Sequence, residues 1–227
     1  MQTLEHNVGQ QLRVFGFARI EQAAAEVIDD LTRAFDRVVK PPTEDVPDVR
    51  VTKFDVLTEM PELELVTESE WVRTVCQTFF ERRFQIVTSD ANLLVGDSYW
   101  HSDGFYRTPF LRFVLYLDDT EGDTGALRFI AGSHRADNGW LGDPTRHVIR
   151  HHQDLGLDGS DVPGVVVESR PGDVIVFDTN VLHSAWRGGI RRQLAFNCVG
   201  EPVTEAERRD TSRYFLNRYV SGSVPIG

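Results

Sequence analysis

The chain has 227 residues, 41% hydrophobic and 26% charged, which suits one soluble domain able to bury a sizeable core. A formal net charge of −11 makes a surface that repels phosphate backbones and argues against a nucleic-acid partner. No run approaches the roughly 20 apolar residues of a membrane span, and Met1-Gln2-Thr3-Leu4-Glu5 does not read as a signal peptide.

Two cysteines, Cys76 and Cys198, are too few for a disulfide framework or a cysteine metal site. Both fall in apolar periodic stretches and read as core thiols, which points to a reducing, cytoplasmic setting. The whole chain reads as a single domain: mainly helical support over 1–82, a β core over 83–200 and a C-terminal helix over 201–227.

In chain order, the first clear signal is the series Val27, Ile28, Leu31, Phe35 and Val38. Its three-to-four spacing is that of an amphipathic helix, and Pro41-Pro42 ends it. The acidic stretch Thr43 to Glu64 shows no clean period and reads as a loop that could cover a site. A second helix is predicted from Thr67 to Arg82, with Thr67 and Glu70 at capping-box spacing and Trp71, Val75 and Phe79 as its buried stripe.

Beyond Arg82 the chain turns to short β segments: Phe84–Thr88, Ala91–Val95, Phe110–Leu117, Ala126–Ile130, Val165–Glu168, Val174–Phe177 and Gln193–Val199. Turn pairs such as Gly122-Asp123, Gly142-Asp143 and Gly188-Gly189 punctuate them. Many short strands with few helices between them predict an antiparallel sandwich or barrel. A last helix is predicted from Thr204, with Glu207 at capping-box spacing.

The chemistry sits in Tyr99-Trp100-His101-Ser102-Asp103-Gly104. Residues two apart in extended chain project from one face, so His101 and Asp103 offer an imidazole and a carboxylate to one point. That is half of a two-histidine, one-carboxylate facial triad, which leaves open positions on a non-haem iron. An H-x-D pair alone is a common accident in a chain with seven histidines. His183, which follows the turn-strand-turn Pro171 to Asp178, supplies the distant second histidine.

Arg191 and Arg192 open the strand that follows. A guanidinium pointing into the barrel can clamp a carboxylate in a bidentate pair, and 2-oxoglutarate carries such a carboxylate. Arg191, Gln193, Ala195 and Asn197 form a polar, small-residue face, whereas Arg192, Leu194, Phe196 and Cys198 form an apolar one. Parity therefore assigns the clamp to Arg191, with Arg192 as the alternative.

From His101 to Asn197 the sequence resembles the phytanoyl-CoA dioxygenase (PhyH-like) family of Fe(II)/2-oxoglutarate-dependent oxygenases. The resemblance lies in His101-Ser102-Asp103, in Leu115-Tyr116-Leu117-Asp118-Asp119, in Gly125 to Arg135, in Gly172-Asp173 and in His183 followed by Arg191. It implies a double-stranded β-helix (a cupin-like jelly roll) supported by N-terminal helices. It also implies iron ligation by His101, Asp103 and His183, and 2-oxoglutarate anchoring by Arg191. The implied cofactors are Fe(II), 2-oxoglutarate and O2. The implied reaction is oxidation, by default hydroxylation, of a C–H bond in a small-molecule metabolite or natural-product intermediate, with release of succinate and CO2. The segment His183 to Ile190 is shorter than in many members. An aspartate at 103 speaks against halogenation, for which members carry a small residue there.

Further residues carry weaker expectations. Trp100, Phe105, Arg112 and Trp186 are candidates for the substrate pocket. Arg112, a charge inside an apolar strand, either pairs with an acidic residue or faces the cavity and binds an anionic group, and the two tryptophans either line the pocket or pack the barrel. His134 reads as structural, and the adjacent His151 and His152 as surface residues. Two rival readings stand beside the oxygenase: a metal-dependent cupin without 2-oxoglutarate, and a non-catalytic small-molecule-binding jelly roll.

Overall fold

A computed structural model of the chain describes residues 2–41, 50–104, 106–135 and 158–221. Its helices are α1 (Gln2–Phe15), α2 (Ile28–Val38), α3 (Glu64–Thr67), α4 (Glu70–Phe80) and α5 (Glu205–Ser221). Its strands are β1 (Phe17–Ile20), β2 (Arg50–Phe54), β3 (Phe84–Leu94), β4 (Ser98–His101), β5 (Phe110–Tyr116), β6 (Leu127–Phe129), β7 (Val165–Val167), β8 (Val174–Asp178), β9 (His183–Ala185) and β10 (Arg191–Gly200).

The strands form a six-stranded sheet, β1-β8-β5-β10-β3-β2, and a four-stranded sheet, β4-β9-β6-β7. Every pairing is antiparallel. From β3 to β10 the chain passes between the sheets in the order of a double-stranded β-helix, and β1 and β2 extend the larger sheet at its two edges. The helical third thus also contributes strands. β2 lies within the stretch read as loop; residues 42–49 lie outside the described residues.

Side-chain alternation gives the larger sheet two different faces. Its outer face carries Leu93, Leu115, Leu194, Phe113, Phe196 and Val176, which join one core with Leu12, Leu31, Phe35, Val72 and Val75 of the helices. Phe113 and Phe196 stack there with ring centroids 4.7 Å apart. The inner face packs its apolar part, Val114, Ile175, Phe177 and Ala195, against Leu127, Phe129 and Ala185 of the smaller sheet. Its polar part is left to line a cavity.

Helix ends follow local chemistry. α4 is capped by Ser69, whose Oγ accepts from the Val72 N–H, rather than by Thr67. Thr67 instead closes α3; the fully buried residues of α4 are Val72, Val75 and Cys76, and the expected Trp71 and Phe79 pack against the same core while partly exposed. α5 begins as expected: Thr204 Oγ1 accepts from the Glu207 N–H at 3.2 Å, while Glu207 Oε2 accepts from the Thr204 N–H at 3.0 Å. Gly9 lets α1 approach α4 closely, since a Cβ there would lie 2.6 Å from Thr78 Cγ2. Cys76 and Cys198 are free and buried, and burial pushes the Cys198 thiol up. Among the described residues no helix is long and apolar enough to cross a membrane.

Candidate metal centre

His101 and His183 face each other across the β4–β9 pair, with ring centroids 4.3 Å apart. Each ring is oriented by the carbonyl two residues back: His101 Nδ1 lies 2.6 Å from Tyr99 O and His183 Nδ1 lies 3.0 Å from Val181 O. An Nδ1–H donated to a carbonyl leaves Nε2 as the lone-pair nitrogen. Both Nε2 atoms face Asp103, at 3.8 Å from Oδ1 for His101 and 3.9 Å from Oδ2 for His183. One donor atom from each of the three residues falls within 4.8 Å of the other two.

Asp103 stands just beyond the end of β4, on a loop pinned from below. Gly104 N–H donates to Thr179 O at 2.8 Å, and Ser102 Oγ donates to Gly104 O at 2.7 Å. A Cβ on Gly104 would come within 2.7 Å of Thr179 Oγ1, so glycine is what lets the loop lie that close. Burial, then the neighbouring His101, push the His183 imidazolium down to about 3. His183 is therefore neutral at physiological pH, the form that ligates a metal.

The cavity in front of this cluster has a volume of about 100 Å³. His101, Asp103 and His183 lie on its wall together with Arg50, Arg112, Tyr116, Arg191 and Gln193. Arg191 is 3% exposed. It donates from Nη1 to Gly125 O at 2.9 Å and from Nη2 to Gly96 O at 2.6 Å, and its Nε has no protein partner. Gly125 and Gly188 flank the guanidinium; a Cβ on either would lie 2.3 Å from it. Gly125 also has a φ of +95°, a left-handed conformation that suits glycine. Arg192, one residue on, lies on the other face and donates from Nη2 to Asp118 Oδ1 at 2.7 Å and from Nη1 to Asp36 Oδ1 at 3.0 Å. Of this pair, Arg191 lines the cavity and Arg192 does not.

The structure divides the remaining candidates. Arg112 lines the cavity and pairs in a fork with Asp90, Nη1 to Oδ1 at 3.1 Å and Nη2 to Oδ2 at 2.6 Å. Its Nε lies 3.4 Å from Asp103 Oδ2. The paired and the cavity-facing readings of Arg112 therefore hold together. Trp100 and Trp186 do not line the cavity. Trp100 neighbours the inward His101 on β4 and Trp186 follows the inward Ala185 at the end of β9, so each points the other way: Trp100 Nε1 donates to Gly159 O at 2.9 Å, and Trp186 Nε1 donates to Ser184 Oγ at 2.9 Å. Phe105, His151 and His152 lie outside the described residues. His134 Nε2 sits 3.3 Å from Arg13 O, tying the loop after β6 to α1.

Sequence reasoning missed Asp90, Arg50 and Tyr116. A signal for Asp90 was present: Asp90 and Asn92 share one face of a strand with Ala91 and Leu93 on the other. Tyr116 joins that polar row through its register partner Gln193, and burial pushes its phenol up. Arg50 sits on an edge strand the sequence pattern did not reveal, opposite Leu94, which also pairs with Arg191.

The phytanoyl-CoA dioxygenase (PhyH) family model matches residues 12–192. The chain belongs to this family. No curated protein matches the chain in sequence. Among solved structures, the α-ketoglutarate-dependent epimerase SnoN from nogalamycin biosynthesis is 16% identical, over 88% of this chain and 84% of that one, with a TM-score of 0.64. HygX from Streptomyces hygroscopicus, solved with iron bound, is 16% identical over 88% of each chain, with a TM-score of 0.65. EvdO2 from Micromonospora carbonacea var. aurantiaca, complexed with 2-oxoglutarate, is 21% identical over 85% of this chain and 89% of that one, with a TM-score of 0.62. At these identities the likeness is one of fold, and the fold is the double-stranded β-helix of PhyH-like oxygenases.

Proposed function

We propose that the protein is an Fe(II)- and 2-oxoglutarate-dependent oxygenase that oxidises a C–H bond of a small molecule, with hydroxylation as its outcome. The observation that carries this reading is the gathering of two imidazole nitrogens, one carboxylate and a buried guanidinium around one cavity. The donor set suits ferrous iron: two nitrogens and one oxygen on one side of a point, with the opposite side open to the cavity. The solved structures of HygX with iron and of EvdO2 with 2-oxoglutarate support the same pair of groups here.

His101, Asp103 and His183 would hold the iron, and Arg191 the distal carboxylate of 2-oxoglutarate. Bound together, these groups with O2 supply an oxidant strong enough for an unactivated C–H bond, with conversion of 2-oxoglutarate to succinate and CO2. The protein's part is placement. The Tyr99 and Val181 carbonyls set the imidazole tautomers, and the pinned Gly104 loop sets the carboxylate. The Gly125 and Gly96 carbonyls hold Arg191 with its Nε unused by protein. The apolar residues Leu127, Phe177 and Val114 limit water beside the centre. A small molecule is the substrate class we assign; HygX has also been solved with hygromycin B and SnoN with nogalamycin RO.

The test is anaerobic. Fe(II) followed by 2-oxoglutarate, added to the purified protein, is expected to give a weak visible charge-transfer band that His183→Ala abolishes. Iron binding without the band would favour a cupin that uses no 2-oxoglutarate, and absence of iron binding would refute the enzyme reading.

A further inference from the structure

We propose that Asp90 and Arg112 are positioning residues for the metal: Asp90 engages the Arg112 guanidinium, and the Nε edge of Arg112 holds the Asp103 carboxylate toward His101 and His183. This rests on the metal-centre reading above.

The geometry is specific. Asp90 is 1% exposed and Arg112 is 4% exposed, on β3 and β5, which flank β10 in the larger sheet. The fork uses Nη1 and Nη2 of the arginine on Asp90, leaving the Nε edge toward Asp103 Oδ2 at 3.4 Å. Asp90 is itself held in place. Asn92 Nδ2 donates to Asp90 Oδ2 at 2.7 Å and to Gln193 Oε1 at 3.1 Å, and Thr52 Oγ1 donates to Asn92 Oδ1 at 2.7 Å. A polar ladder therefore runs across the inner face from edge strand β2 to the carboxylate at the metal point.

Charge counting shows what the ladder does. A guanidinium facing Asp103 alone would neutralise it and compete with a divalent cation for its oxygens. With Asp90 forked onto the same guanidinium, that charge is already balanced, so Asp103 keeps its own for the metal. Arg112 then acts on Asp103 by direction rather than by neutralisation. The carboxylate needs this more than the imidazoles do, because it lies off the strand while each histidine is oriented by its own chain. Partners behind metal ligands act on affinity and activity in this way, typically by 10- to 100-fold.

The test uses Co(II) with the full-length protein, read by calorimetry and by the visible spectrum of the bound ion. The double substitution Asp90→Asn with Arg112→Gln removes both charges together and leaves groups that still hydrogen-bond. The proposal expects it to remain folded by circular dichroism, to bind Co(II) about 10- to 100-fold more weakly than wild type, and to shift the Co(II) bands. Arg112→Lys retains the charge opposite Asp90 but has no second donor edge for Asp103. It is expected to show the same loss, and it carries the test if the double variant does not fold. Binding within twofold of wild type in a folded variant, with an unshifted spectrum, would overturn the proposal, since a merely structural pair would give that result. Failure of wild type to bind Co(II), or undiminished binding by His183→Ala, would refute the metal centre itself and this inference with it.

Discussion

Gly188 offers a way to move Arg191 without touching it. A Cβ at position 188 would lie 2.3 Å from Arg191 Cζ, 2.5 Å from Nη2 and 2.7 Å from Nε, where ordinary contact begins at 3.4 Å. Gly188→Ala therefore forces the guanidinium to shift by about 1 Å, far enough to break or stretch the bonds to Gly96 O and Gly125 O. Hydrogen bonds to charged groups are worth about 1.5–3 kcal/mol each, and a misplacement of about 1 Å can cost on the order of 100-fold. The expected loss of 2-oxoglutarate affinity is about 10- to 100-fold, or about 1.4–2.7 kcal/mol. The neighbouring Gly189 is an internal control, because a Cβ there meets nothing within 4 Å. Anaerobic titration of 2-oxoglutarate into the Fe(II)-loaded variants, followed by the visible band, reads the difference, while Fe(II) affinity itself should not change. Equal 2-oxoglutarate affinity for Gly188→Ala and Gly189→Ala would refute the placing of the cosubstrate on Arg191.

Two other substitutions bear on the same reasoning. Arg191→Ala should weaken 2-oxoglutarate by about 2–5 kcal/mol. Arg192→Ala should leave that affinity unchanged and lower stability by about 1 kcal/mol at most, since its partly exposed pairs are with Asp118 and Asp36; the reverse result in the same titration would refute the parity argument. Asp178 is buried, and desolvation raises its carboxyl to about 7 from an ordinary 3.8. A raised carboxyl favours the neutral folded form, so stability is greatest below about pH 4 as far as this group is concerned and falls as pH climbs to about 7. Asp178→Asn should therefore be more stable than wild type at pH 8, on the order of 1–3 kcal/mol once the retained Asn180 N–H bond and local relaxation are allowed for. The gap should close toward pH 4 in urea melts, and a gap independent of pH would count against the burial argument.

Much of the centre was legible in the chain because it is local or periodic. His101 and Asp103 are two residues apart, and His183 follows a turn-strand-turn. The Arg191 and Arg192 choice is a matter of strand parity, which a strand with one polar and one apolar face states openly. Parity also places Trp100 and Trp186 away from the cavity: nearness in sequence to an inward residue puts a side chain on the opposite face. Thr67 and Ser69 show a further limit. Both precede a helix with suitable hydroxyls, but Thr67 is taken up by the last turn of α3, which leaves Ser69 to cap α4.

The sequence by itself determined the alternation of faces, the two histidines and one aspartate of the candidate centre with their spacing, and the helix of residues 28–38. These depend on side-chain chemistry and on the two backbone periods, which act within a few residues. Tertiary structure alone decided the rest. The edge strands β1 and β2 are short and exist only because β8 and β3 offer them unpaired backbone groups. The union of Asp90 with Arg112 and Asp103 spans different strands and a loop. Two like-charged carboxylates meet one guanidinium because β3, β5 and the loop after β4 come together at one place in the fold, and no local pattern records that.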